Sequence, residues 1–115
     1  MKINKDSSIE DKSVDMEGAK DVTMKILIGE SEGSRNIIMR YFKIQPGGHT
    51  PFHNHPYEHV LKVEKGEGVI VDAKKNEHEI SAGKSLFVSP DEKHQFKNTS
   101  SEMLELVCII PGQGK

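Results

Sequence analysis

In the segment His53-Asn54-His55-Pro56-Tyr57-Glu58-His59, three imidazoles stand at i, i+2 and i+6. Side chains of an extended strand alternate between its faces, so this spacing predicts that all three point the same way. Neutral imidazole is the commonest protein ligand for transition metals, and convergent imidazoles on a rigid sheet form a ready site. A fourth, His94, follows a second strand-like run ending in Ser89-Pro90-Asp91. The chemistry expected of His53, His55, His59 and His94 is the binding of one divalent transition metal ion. Such nitrogen ligands suit Mn, Fe, Co, Ni, Cu or Zn and do not suit Ca or Mg, which take oxygen. Neutral ligands leave the ion's double charge uncompensated, which raises its Lewis acidity and its attraction for anions such as carboxylates or enolates. If the ion is six-coordinate, two positions stay open to water or substrate.

The elements that must carry these side chains read as strands. Thr23 to Ile28 is β-branched and apolar, and the stretch 29–34 reads as a loop. The run 36–45 is a long strand candidate that Pro46-Gly47-Gly48 is expected to stop. Further strand-like runs recur at 58–64, 68–72, 77–80, 85–88, 95–98 and 103–110, with Gly-, Pro-, Asn- and Lys-rich turns between them. No amphipathic helix, solenoid repeat or low-complexity tract is apparent, so the fold expected is all-β, a jelly roll or barrel. Residues 1–21 read as an N-terminal arm, docked on the barrel or on a dimer partner, and 22–115 as the barrel.

Parity places the side chains. From Glu58 to Glu64 the charged residues Glu58, Lys62 and Glu64 alternate with His59, Leu61 and Val63, so one face is wet and the other buried. His53, His55 and Tyr57 share the buried parity if the strand is unbroken, although Pro56 marks a strand start or bulge. Glu105 sets the wet face of the last strand and leaves Leu104, Leu106, Cys108 and Ile110 facing in. His94 and Phe96 share one face. Tyr57, Phe42, Phe96, Cys108 and Arg40 are therefore the candidates for lining a pocket. The plainer readings of four of them are core packing for Phe42 and Phe96, a small apolar role for Cys108, and exposure for Arg40. His49 in its Pro-Gly-Gly turn, His78 in a polar hairpin and Glu58 read as solvated. Asn98 reads as a strand terminator bonding backbone.

The run Gly47-x5-His53-x-His55-x3-His59-x6-Gly66 resembles the first motif of the cupin family, with His59 where the family usually has Glu. Gly83, His94 and Asn98 keep the spacing of the second motif, while Ser89 and Asp91 replace its usual Pro and Gly. The resemblance spans about residues 35–110. It implies a double-stranded β-helix, a metal held inside by His53, His55, His59 and His94, and a homodimer, as in many small cupins.

Composition narrows the rest. The formal charge is −2 with acidic and basic residues interspersed, which gives no global reason to bind nucleic acid or an acidic membrane. No apolar run approaches the roughly 18 residues of a membrane span, and none resembling a secretory signal follows Met1. A single cysteine agrees with a reducing compartment, so a cytoplasmic protein is expected. Apolar content of 34% and the absence of Trp make a small core, to which pairing of two chains would add. No P-loop, G-x-G-x-x-G, G-x-S-x-G or H-E-x-x-H competes with the histidine set. The expected function is a metal-dependent, dioxygenase-like oxidoreductase acting on a small organic substrate. An isomerase or lyase of a small oxygenated acid or sugar, and a non-catalytic binder, stay open; the former lacks an evident general base.

Overall fold

The structure, a computed structural model, describes residues 1–114; Lys115, the last residue of the expected barrel segment, lies outside them. Nine antiparallel strands run in chain order: β1 Lys12–Ser13, β2 Lys20–Ile28, β3 Ile37–His49, β4 His59–Lys65, β5 Glu67–Val71, β6 Glu77–Ser81, β7 Ser85–Val88, β8 Gln95–Lys97 and β9 Leu104–Pro111. The described helical turns are short 3-10 segments at Asp6–Ser8, Glu30–Glu32 and Gly112–Gly114. No described helix is long and apolar enough to cross a membrane. The strands hydrogen-bond in the order β6-β5-β8-β3-β9-β4-β7, with β2 also on β3 and β1 on β2, and the sheet curls into a jelly-roll barrel.

Alternation drives the curl. In β9, Leu104, Leu106, Cys108 and Ile110 are buried, and in β4 His59, Leu61 and Val63 are buried while Val60, Lys62 and Glu64 face out. Leu61, Val63, Leu104, Leu106, Cys108 and Ile110 pack with Ile38, Ile44, Val22, Ile80, Val88 and Phe96 into the core. Each buried Val, Leu, Ile or Phe among them contributes roughly 1.5–3 kcal/mol.

The strand from Asn36 was expected to stop at Pro46-Gly47-Gly48, and instead β3 runs on to His49. Its first part pairs with β9, from Ile37 opposite Pro111 to Ile44 opposite Leu104, and its end pairs with β8 at Lys97. The chain turns this corner through a bulge, because β2 pairs Val22 with Ile44 but Lys20 with His49. Gly47 supplies the positive φ of 80° that the bend needs. At Gly48 the demand is closeness, since a side chain there would collide with the carbonyl of Lys20. Pro46 lacks an N–H, and a bulge is where a strand can dispense with one.

Asn98 locks the corner. It is buried; its Nδ2 donates to the carbonyls of Ile44 (2.8 Å) and Glu102 (2.7 Å), and its Oδ1 accepts from the Ser100 amide (2.9 Å). Its own backbone bonds both ways with Gly47 and Gly48. Asn98→Leu should therefore destabilise the chain by about 2–4 kcal/mol, because buried partners lose their bonds. Chemical denaturation measures this, and a loss below about 0.5 kcal/mol would exclude the locking role.

Candidate metal centre

The four imidazoles predicted as ligands lie together. Ring centroids are 4.4 Å apart for His53 and His55, 5.4 Å for His53 and His94, 5.5 Å for His55 and His94, 5.5 Å for His55 and His59, and 5.0 Å for His59 and His94. One ligand nitrogen from each of His53, His55 and His94 falls within 4.8 Å of the others.

The strand geometry expected across 53–59 is not what brings them there. Residues 54–58 form an irregular loop, and His53 meets His94 in an isolated antiparallel bridge. Pro56 denies the ladder a donor, and the chain turns before β4 begins at His59. The loop is tied instead to the turn before His94. There the Asp91 amide donates to the His55 carbonyl (2.6 Å), and Asn54 Nδ2 donates to the Asp91 carbonyl (3.4 Å). Asp91 holds a φ of 62°, a left-handed conformation that Asp tolerates better than most residues.

Hydrogen bonds fix which nitrogens are free. His94 Nδ1 donates to the Glu92 carbonyl at 2.8 Å, so its Nε2 presents a lone pair. His59 Nδ1 lies 3.5 Å from Cys108 Sγ, and its Nε2 is buried with no partner. A buried orphan acceptor costs about 1–3 kcal/mol, and a metal ion is a partner that removes the cost. The donor set therefore fits a transition ion: imidazole nitrogens, two of them with the opposite ring nitrogen already engaged.

Burial and mutual repulsion keep the cluster neutral, as ligation requires. Desolvation is the largest cause at each ring. It lowers His53 and His94 below the usual imidazole range, His55 to about 4 and His59 to about 3. At His94 the Glu92 carbonyl opposes the shift.

The cluster lines a cavity of about 270 Å³ whose other walls include Phe42, Tyr57, Leu61, Phe96, Leu106, Cys108 and Arg40. Tyr57 stacks on His55 at 4.8 Å between centroids, and burial pushes its phenol upward. Burial likewise raises the Cys108 thiol, against an opposing pull from Arg40. Glu58 and His78 are exposed, the latter 2.8 Å from Asp72 Oδ2. His49, expected in solvent, is half-buried beside the Thr50 carbonyl because β3 continues to it. Sequence reasoning did not single out Val14, Met16, Met24 or Thr50 as lining the cavity. The first two were visible as apolar points at i and i+2 in a polar stretch, and β1 pairing on β2 carries them there.

Among known proteins, the family model described as the Cupin domain matches residues 40–110. Auxin-binding protein 1 of Arabidopsis thaliana is 34% identical over 73 residues, which are 56% of this chain and 37% of that protein. The chain thus spans little more than a third of that relative's length. The polyketide cyclase RemF of Streptomyces resistomycificus superposes with a TM-score of 0.92 at 26% identity, covering 97% of this chain and 80% of that one. A Thermotoga maritima protein named as a predicted oxalate decarboxylase gives a TM-score of 0.84 at 26% identity, with 96% and 98% covered.

The lowered imidazoles make stability of the metal-free chain depend on pH. Below about pH 6.5 the unfolded chain binds protons that the folded cluster does not. Stability should therefore be fully present above 6.5 and fall as pH drops from 6.5 toward 4. Urea titrations at pH 7.5, 6.5, 5.5 and 5 would show the decline, and a His53→Ala/His55→Ala chain should show a shallower one. Equal slopes would mean the cluster is not the source.

Proposed function

Because this chain belongs to the cupin family, we propose that His53, His55, His59 and His94 hold one divalent transition metal ion and that the protein is a dioxygenase-type oxidoreductase. Its substrate is a small organic molecule bound in the adjoining cavity. The observation that carries this reading is the chemistry of the walls: among the residues lining the cavity there is no Asp or Glu. When bound, the ion would supply Lewis acidity and, if redox-active, electrons for reaction with dioxygen.

The chain's own residues prepare that environment. Phe42, Leu61, Phe96 and Leu106 exclude water, which strengthens every electrostatic interaction inside. Tyr57, with its phenol pushed up by burial, remains protonated at neutral pH and can donate a hydrogen bond to a substrate oxygen. Cys108 Sγ, 3.5 Å from His59 Nδ1, orients that ring and, by accepting a hydrogen bond from Nδ1–H, would leave Nε2 free as a ligand. An isomerase or lyase would need a protein base poised near neutral pH, and these walls offer no carboxylate for it.

A second reading has a specific observation behind it. The likeness to the polyketide cyclase RemF extends over 97% of this chain, and ring closure of a polarised carbonyl compound consumes no oxygen. Both readings use the same centre.

Elemental analysis of untagged protein should find near-stoichiometric transition metal, and His53→Ala with His55→Ala should abolish it. Metal retained after both changes would refute the ligand set. The Mn, Fe and Cu forms are then assayed for oxygen uptake with enediols, catechols and flavonols. Uptake that needs the metal supports the dioxygenase. Product isomeric with substrate and formed without uptake supports the cyclase, and tight binding with no turnover makes the protein a binder.

Pairing of two copies belongs to the same proposal. Val60 and Phe87 are neighbours across β4 and β7, yet remain 44% and 58% exposed, with Ile109 beside Val60 on β9. A second copy would bury this apolar row. Val60→Glu with Phe87→Glu should give a monomer by light scattering where the parent chain is a dimer; a monomeric parent would remove the dimer from the proposal.

A further inference from the structure

We propose that Arg40 is the anion-recognising group of this cavity, and that the ligand it takes is an organic carboxylate or enolate carried on an apolar body. The inference rests on the reading that the cavity beside the imidazoles is the working site. On β3 the inward parity runs Ile38, Arg40, Phe42, Ile44, so one position of an otherwise apolar series carries a permanent charge. Across the ladder Arg40 faces Cys108.

Its surroundings do not neutralise it. Arg40 forms no ion pair among the described residues. Its Nη2 lies 3.6 Å from Cys108 Sγ and its guanidinium carbon 5.1 Å from the Phe42 ring centroid. Its Nε is buried with no hydrogen-bond partner among the described residues. A sulfur and a ring face are weak partners for a group with five N–H donors. Arg40 is half-buried, and a partly desolvated cation with a buried, unbonded Nε and no counter-charge is costly and is normally paired.

Since the walls contain no carboxylate, the missing counter-charge has to arrive with the ligand. Arg40 is also near the cluster: its Nη2 approaches the same Cys108 Sγ that lies 3.5 Å from His59 Nδ1, and it lines one cavity with all four imidazoles. An anion meeting Arg40 therefore lies beside the proposed ligands. The planar guanidinium fork favours a carboxylate or enolate oxygen. Phe42, Leu61, Phe96 and Leu106 select an apolar remainder, within about 270 Å³.

The test uses the zinc-loaded full chain and its metal-free form, with naphthalene-2-carboxylate and the uncharged naphthalene-2-carboxamide as probes in calorimetric titrations. The parent chain should bind the acid more tightly than the amide in both forms. Arg40→Gln should weaken acid binding about 10- to 100-fold, leave the amide unchanged and leave zinc content unchanged, while Arg40→Lys recovers part of the loss. Thermal melting separates ligand recognition from support of the fold. Arg40→Met should hold or raise the Tm of the ligand-free protein, because an unbonded buried Nε is removed. A fall in Tm, acid binding unaffected by Arg40→Gln, or equal losses for acid and amide would each overturn the proposal while the cavity reading stands. Failure of both probes to bind the zinc-loaded parent would overturn it together with the cavity reading.

Discussion

Two backbone hydrogen bonds join the halves of the site: the His53 amide donates to the His94 carbonyl at 3.1 Å, and the His94 amide returns to the His53 carbonyl at 2.9 Å. The candidate site follows from that bridge, because it connects segments separated by four strands. It forms where β3 has carried the chain round its corner and where the turn at Ser89-Pro90-Asp91 brings it back. The bridge sets two imidazoles side by side. Asp91, bonded to the His55 carbonyl, adds the third, and β4 adds His59 from the buried parity. Backbone geometry thus places the cluster before any side chain chooses a rotamer, as pre-organisation of a binding site requires.

The electrostatics are a consequence of where that bridge lies. Rings brought together inside apolar walls lose solvation, which penalises their charged forms and holds them neutral. Neutrality makes them good metal ligands and poor acids or bases, so the site is suited to binding rather than to proton transfer by histidine. The same walls make Arg40 anomalous, because desolvation that suits a neutral imidazole is expensive for a cation.

How much of this could be read from the sequence depended on what fixed each feature. The parities of β4 and β9 were legible because Glu, Lys and apolar residues alternate strictly, and burial follows the same alternation. The glycine and histidine spacings of residues 47–66 and 83–98 gave the fold. The course of β3 past Pro46 was not legible, since Pro-Gly-Gly reads as a stop unless a bulge is known to lie there. The convergence of His53, His55 and His59 was expected for the wrong reason: strand alternation was assumed, whereas a loop pinned by the Asp91 turn produces it. The contribution of Val14 and Met16 depends on pairing between β1 and β2, which two isolated apolar residues do not announce.

One substitution links the metal centre to the unpaired arginine. At position 59 the cupin motif usually carries Glu, an anion that would lower the net charge of the centre and stand near Arg40. His59 supplies no charge, and its Nδ1 reaches Cys108, the sulfur that Arg40 Nη2 also approaches. Arg40 and the bound ion would then be cations sharing one cavity with no anion from the protein. Cations confined in a low-dielectric volume repel strongly, and a carboxylate or enolate entering between them relieves the repulsion of both at once. A neutral guest relieves neither. In the proposed site, discrimination in favour of anionic guests would follow from the absence of one carboxylate.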